Sequence, residues 1–353
     1  MERKLKIVAI SNHGCMRGQK TSICLMQRGH KLHSIANKVT QYSDLYETMM
    51  VYQDIHQMRN AIMTHKDADI FHCHNEPSWF VTIIKELLPK SKVILDMHDS
   101  MLLRRTDDEV IEANDPAIFR LSTDERNNCQ LADGIVYVCD AMKQIVHNEF
   151  ALSQPCIVLP SALPRQFYRV DFIRYQQALV YEGRIDNDKE LSKDWGFFKY
   201  ANYIEFARQC KEIGIPFHIY TPRKNEEVRK DYKDAIVHEP LGYDKFIKEM
   251  GCHDWGLVGN CFKTPEWKNA LPNKLFEYMG ACLPIICFNA DTSWDFIKDY
   301  GMGIKVESMQ EIKDRWAEHR ECRKNVIKHR MEFCLENYIG KLEELYEKVL
   351  SIG

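Results

Sequence analysis

The chain has 353 residues, 45% of them hydrophobic and 28% charged, and a formal net charge of −3 from 48 Lys and Arg against 51 Asp and Glu. That length exceeds one ordinary core and points to two domains of roughly 150–200 residues each, with the composition of a soluble globular protein. The slightly acidic balance gives no electrostatic case for nucleic acid as the main partner. Its 13 cysteines are scattered and show no C-x-x-C spacing, so a reduced, cytoplasmic setting is expected rather than a disulfide framework. The charged start, Met1–Lys6, runs straight into a strand, so no signal peptide is expected. No apolar run approaches the roughly 20 residues that span a bilayer. Peripheral contact at the inner membrane face is left open.

In chain order, short apolar runs alternate with helix-length segments. Residues 5–12 read as the first strand, followed by a turn at Gly14 and Gly18, a helix capped near Gly29, and a strand over 31–36. Further strands are expected at 68–74, 92–99, 134–139 and 156–161, with helices near 42–65, 77–89, 106–131 and 140–150. After a polar, aromatic stretch at 164–177 a second series begins. Its strands are expected at 178–183, 216–220, 235–240, 255–260, 284–288 and 303–306, and its helices near 197–213, 243–250, 272–280 and 291–300. Residues 308–351 read as helical throughout. Strands separated by helices argue for βαβ units and parallel sheets. The fold class is therefore α/β, with two doubly wound domains and a helical tail. The expected divisions are 1–170, 171–330, and a final helix over 331–353 that returns to the first domain.

Parallel sheets bind ligands beyond the carboxyl ends of their strands. His72, His74, His98 and Asp99 gather at such ends in the first half, and Gly183, Arg184 and Asn260 in the second. A cleft between two domains is the expected setting. One stretch, LPNKLFEYMGACLPII at 271–286, reads as a helix opening with Pro272, carrying Glu277 in its second turn and leading into a buried strand. A helix N-terminus favours anions through its N–H groups and dipole. An acid one turn further in can accept hydrogen bonds from sugar hydroxyls, so phosphate and ribose together, a nucleotide, suit this helix.

These segments resemble the GT-B glycosyltransferases of the large retaining family-four type (glycosyltransferase group 1). The resemblance rests on YEGRIDNDK at 181–189, on the Pro-x-Lys-x-x-Glu helix at 271–286, and on RGHKL, DIFHCH, LDMHD and ADGIVYVCDAM in the first half. It implies a GT-B fold of two facing Rossmann-like domains. The first is the acceptor side and the second binds the nucleotide sugar. It further implies a metal-independent transfer with retention, using a UDP- or GDP-linked donor as substrate and no cofactor.

The resemblance also assigns residues. Arg184 and Lys189 would place cations on the diphosphate, where negative charge grows as it leaves. The backbone of Asn273, Lys274 and Leu275 would add donors, and Glu277 would hold the ribose. The family's earlier glutamate, eight residues before Glu277, is here Asn269, which can bond a sugar hydroxyl but carries no charge. Gly14 stands where the family's glycine loop approaches the donor. His98 would position the transferred sugar without acting as a nucleophile. The acceptor stays open among a glycan, a lipid-linked sugar, a protein, a small molecule and a modified nucleic-acid base.

Plainer readings stand beside these. Glu277 also suits a helix dipole partner, Arg184 a surface ion pair, His98 a structural histidine, Gly14 a simple turn and Asn269 a loop residue. His72, His74 and His98 suggest a metal at first sight, but no acid or cysteine at ligand spacing completes the set, so no metal is expected. Asp67–Ala68–Asp69 spells a metal motif of another fold yet precedes a strand at its amino end, as a turn does. Trp79 and Phe80 suit core packing more than a lipid or sugar contact. Two other functions stay in view: a nucleotide-sugar 2-epimerase-like enzyme, and a non-catalytic glycosyltransferase-like binding subunit.

Overall fold

The structure, a computed structural model, describes residues 3–12, 15–74, 79–103, 116–168, 176–187, 201–222 and 226–352, with 116–123 and 176 described by backbone alone. They form two compact units. The first runs to Leu102, from Pro116 to Pro164, and again from Leu335 onward; the second runs from Arg165 to Cys334.

The first unit is a parallel sheet of β1 (Lys6–Ser11), β2 (Lys31–Ala36), β3 (Thr48–Val51), β4 (Ile70–His74), β5 (Val93–Met97), β6 (Gly134–Tyr137) and β7 (Cys156–Val158). Its order is β3-β2-β1-β4-β5-β6-β7. The second holds β8 (Gln176–Glu182), β9 (Phe217–Tyr220), β10 (Ile236–His238), β11 (His253–Gly259), β12 (Ile285–Phe288) and β13 (Gly303–Val306). These line up as β10-β9-β8-β11-β12-β13. The strand order reverses between β1 and β4 in one sheet and between β8 and β11 in the other, which is where doubly wound sheets open a ligand crevice. Every residue of β4, β5, β11 and β12 is buried. Strands buried on both faces read as unbroken apolar runs, which is why these were legible without alternation.

The first-unit helices are α1 (Met16–Gln27), α2 (Ile55–Thr64), α3 (Phe80–Leu87), α4 (Pro116–Leu131) and α5 (Asp140–Glu149). Those of the second are α6 (Ile204–Glu212), α7 (Glu226–Asp231), α8 (Tyr243–Met250), α9 (Pro265–Asn269), α10 (Asn273–Gly280), α11 (Asp291–Ile297), α12 (Met309–Asp314) and α13 (His319–His329). The last helix, α14 (Ile339–Ser351), belongs to the first unit. Its Glu343 accepts from Arg28 at 2.8 Å and lies 3.0 Å from His30 Nε2, and the Tyr346 hydroxyl meets His72 Nδ1 at 2.6 Å.

Three expectations need correction. The expected helix over 42–65 is instead β3 followed by α2. Asp54 sets the helix start by accepting from the Gln57 N–H at 2.8 Å, and residues 48–51 pair with β2. Gly18 is not in a turn but in the first turn of α1, where a Cβ would stand 2.8 Å from the His74 ring. The short helix α9 was not anticipated; Thr264 caps it through the Trp267 N–H and Pro265 opens it. Parts of three expected helices, 77–78, 106–115 and 197–200, lie outside the described residues.

The seat of α10 depends on Gly256 in β11. A Cβ there would stand 2.6–2.8 Å from three ring carbons of the buried Tyr278. Gly256→Ala is therefore expected to destabilise the protein by about 1–3 kcal/mol through overpacking. Gly340→Ala, in α14 with open space around it, should stabilise by up to about 1 kcal/mol. Urea denaturation of both variants checks the contrast, and equal effects would refute it.

Candidate functional site

In the second unit, β8 leads into Gly183, whose φ of +132° suits glycine and whose N–H bonds to Tyr220 O at 3.0 Å. Arg184 follows. Its Nε donates to Asp186 Oδ2 at 2.7 Å; Asp186 is fully buried while the Arg184 side chain is 37% exposed. The guanidinium is thus anchored by one edge at the strand end, and Tyr181 holds the adjoining backbone by donating to Arg184 O at 3.0 Å.

Helix α10 is tied to the sheet through the side chain of Tyr278. The Tyr278 hydroxyl accepts from the Glu182 N–H at 3.2 Å and donates to Leu257 O at 3.1 Å, tying α10 to both β8 and β11. The helix starts at Asn273, with Pro272 as its cap in extended backbone, one residue later than the sequence suggests. The Leu275 N–H bonds to Pro272 O at 3.2 Å, so that donor is satisfied inside the first turn, and its side chain is fully buried. Asn273 is half-buried at the helix start.

Lys274 contributes more than backbone. Its side chain is buried, with the ammonium 5.0 Å from the Tyr181 ring centre and 4.8 Å from that of Trp267. It stands 3.5 Å from where a Cβ on Gly183 would be. Two aromatic faces thus hold a cation against the same strand end that carries Arg184. The sequence signal was the Trp267–Lys274 spacing, uninterpretable until α9 brought Trp267 round. Glu277 is buried on α10, and its Oε1 accepts from the Tyr243 hydroxyl at 2.7 Å. Tyr243 opens α8 and meets Phe167 edge-on. The Asn269 amide donates to Pro265 O at 2.9 Å, inside its own short helix.

In the first unit, His98 follows β5 and is partly exposed, as is Cys15 before α1. His98 Nε2 lies 3.4 Å from Cys15 Sγ. Behind them sits a buried charge network. Arg17 gives Nε to both oxygens of Asp96 at 2.9 and 3.0 Å, Nη1 to Ser161 Oγ at 3.1 Å and Nη2 to Leu159 O at 2.8 Å. Burial would raise the Asp96 carboxyl, but the Arg17 charge outweighs it and holds the group well below the usual carboxylate range. His74 Nδ1 and His72 Nε2 stand 3.3 and 3.7 Å from Asp96 Oδ2.

Asp96 is the acid that spacing alone did not supply for a metal set: His72, His74 and Asp96 bring ligand atoms within 4.8 Å of one another. Arg17 already occupies both carboxylate oxygens, however, and burial, with His74, drives His72 to the neutral form, its pKa down to about 4. The chemistry of that set is a neutralised buried carboxylate. His98 is not part of it. Asp67 and Asp69 serve the turn into β4, where Asp69 Oδ2 accepts from the Lys6 N–H at 2.8 Å and Asp67 takes the Lys6 ammonium at 2.5 Å. Phe80 is fully buried, whereas Trp79 is 39% exposed. Gly14 and Lys189 lie outside the described residues.

Among the described residues no helix is long and apolar enough to cross a membrane. Residues 197–334 match the family described as Glucosyltransferase 3-like, C-terminal domain. No curated protein sequence matches the chain. Among solved structures, sucrose-phosphate synthase from Thermosynechococcus elongatus is similar with a TM-score of 0.73 at 12% identity, over 99% of this chain and 100% of that one. HepE from Anabaena, in complex with UDP-glucose, is similar with a TM-score of 0.68 at 9% identity, over 96% and 99%. An alpha-glucosyltransferase in complex with UDP-glucose and DNA containing an abasic site gives 0.64 at 11%, over 98% and 100%. Two parallel doubly wound sheets, matched along nearly the whole chain, give this protein the GT-B fold of those glycosyltransferases, and its residues 197–334 are similar to the glucosyltransferase 3-like C-terminal domain.

Proposed function

We propose that the chain is a glycosyltransferase that moves a sugar from a nucleoside diphosphate sugar to an acceptor, with retention and without a metal. The observation that carries this reading is the meeting of Arg184, the aromatic-held ammonium of Lys274 and the start of α10 at the end of β8. A departing diphosphate gains negative charge in the transition state, and fixed cations lower that barrier most when they need no reorganisation. Arg184 is oriented by Asp186, and Lys274 by Tyr181 and Trp267, so both are set in advance. Lys189 completes the cationic set by resemblance. With charges of this kind a metal has no separate task, and no resident cofactor is needed.

Glu277 takes the ribose hydroxyls, with Tyr243 fixing its carboxylate, and the Asn273 and Lys274 backbone faces the phosphates. By the same resemblance, Asn269 and Gly14 are assigned to the sugar side of the donor. His98 positions the transferred sugar. A uracil donor is favoured over guanine, because the HepE and alpha-glucosyltransferase structures of the same fold were solved with UDP-glucose. The acceptor is one of the classes named above.

Thermal shift with UDP, GDP and their sugars is expected to show stabilisation by UDP ligands. Incubation with UDP-glucose and a panel of acceptors, followed by NMR of the anomeric proton, should give an α-linked product, unaffected by EDTA. Donor alone should give no epimer. Arg184→Ala should lower kcat/KM by roughly 100-fold, the loss typical of one transition-state charge contact. Undiminished transfer in that variant, or an inverted product, would sink the mechanism.

Tyr243→Phe leaves one oxygen of a buried carboxylate without its hydroxyl partner. It is expected to destabilise the protein by about 1–3 kcal/mol and to weaken UDP binding several-fold. Calorimetric titration beside a melting curve separates the two, and unchanged affinity would remove Glu277 from the ribose.

A further inference from the structure

Among the thiols, Cys15 stands apart. Burial pushes Cys73, Cys210 and Cys287 up, and carries Cys282 and Cys322 to about 11. Cys15 is partly exposed, precedes the twelve-residue helix α1, and lies 3.4 Å from a histidine ring nitrogen. A helix N-terminus and an adjacent imidazolium both favour a thiolate. Burial acts against it, but the His98 charge and hydrogen bond prevail and bring the thiol down to about 6. His98 responds in kind: burial lowers it, and the Cys15 charge lifts it to about 9. The groups that face the pair are His74 at the end of β4, Asp96 and Asp99 around the end of β5, Arg17 on α1, and Tyr46, which feels the thiolate charge. Arg17 is engaged by Asp96, and His98, 3.4 Å away, is the group whose hydrogen bond and charge act on the sulfur most.

We infer that Cys15 and His98 form a thiolate–imidazolium pair and that Cys15 is a reversible modification site for low-molecular-weight disulfides. The thiolate attacks one sulfur of the disulfide, a new S–S bond forms at Sγ, and the old S–S bond breaks. Its electron pair leaves on the second sulfur as a thiolate. Cys15 is oxidised and the small disulfide is reduced. The adduct removes the anion that holds the His98 proton and puts bulk beside the ring. His98 is the sugar-positioning residue of the transfer proposed above, so the modification blocks that transfer and leaves nucleotide binding at Arg184 and Lys274 in place. Only this consequence rests on that proposal; the reactivity of Cys15 does not.

The full chain is treated with iodoacetamide from pH 4.5 to 9.5, and alkylation of each cysteine is followed by peptide mass spectrometry. At pH 6 Cys15 should react about ten-fold faster than an ordinary exposed thiol, since its larger thiolate fraction outweighs its weaker nucleophilicity. Near pH 7 that lead shrinks to a few-fold and above about pH 8 it reverses, so the inflection decides. It is expected near 6 and should move up to the ordinary range near 8.5 in His98→Gln. Glutathione disulfide should add one adduct at Cys15, reversed by dithiothreitol and absent in Cys15→Ser, and NMR of the histidine rings should show His98 titrating lower after it. UDP-induced thermal stabilisation should be the same before and after. An inflection at Cys15 in the ordinary range, or one that His98→Gln leaves in place, overturns the inference. A Cys15 adduct that leaves the His98 titration unmoved overturns the coupling. Absent transfer activity together with the expected Cys15 profile would count against the proposed function alone.

Discussion

The buried pair between Arg17 and Asp96 organises the first unit. Asp96 is wholly buried in β5, at the heart of the seven-stranded sheet, and Arg17 is 2% exposed in the first turn of α1. Removing either partner would leave an uncompensated charge in the interior, a loss of roughly 3–5 kcal/mol. The pair also fixes geometry. Arg17 reaches past Asp96 to Ser161 and Leu159, so it ties the start of α1 to the end of β5 and to the segment after β7. Cys15 lies two residues before Arg17 and His98 two residues after Asp96. One ion pair therefore brings together the thiol and the imidazole at the carboxyl edge of the sheet.

The second unit solves the matching problem with a neutral group. The Tyr278 hydroxyl joins α10 to β8 and β11, and Gly256 makes room for its ring. A hydroxyl satisfied on both sides is well suited to a fully buried position, where an unpaired one would be costly. The helix that results presents Lys274 and Glu277 from successive turns. Each has its own orienting partner, aromatic rings for the cation and a phenol for the acid. Fixed side chains of this kind suit a site in which charge develops during the reaction.

Most of the fold was legible because its strands appear as compact runs between helix-length segments, and the central ones are buried along their whole length. β3 escaped notice because residues 48–51 sit at the sheet edge and are not buried, so no unbroken core pattern marks them. α9 escaped because five residues carry too little periodicity. For the site, Arg184, Lys274 and Glu277 stood in a readable frame of local spacings. Cys15 did not: its significance lies in a contact across 83 residues of sequence. Asp96 was passed over for the same reason, since its neighbours in space come from β4 and α1.

By itself, the sequence determined the alternation of strands and helices, the two-part chain, and the chemistry offered at the strand ends. Those properties depend on local periodicity and on residue type, which the linear order carries directly. Tertiary structure alone decided which of those groups meet. It turned the lysine of the α10 motif into an aromatic-held cation, bound Asn269 to its own helix, set the histidines of β4 beside the buried carboxylate that Arg17 neutralises, and set Cys15 against His98. Each outcome depends on long-range packing, through which burial and neighbouring charge decide whether a side chain is a cation, a neutral ring or a thiolate.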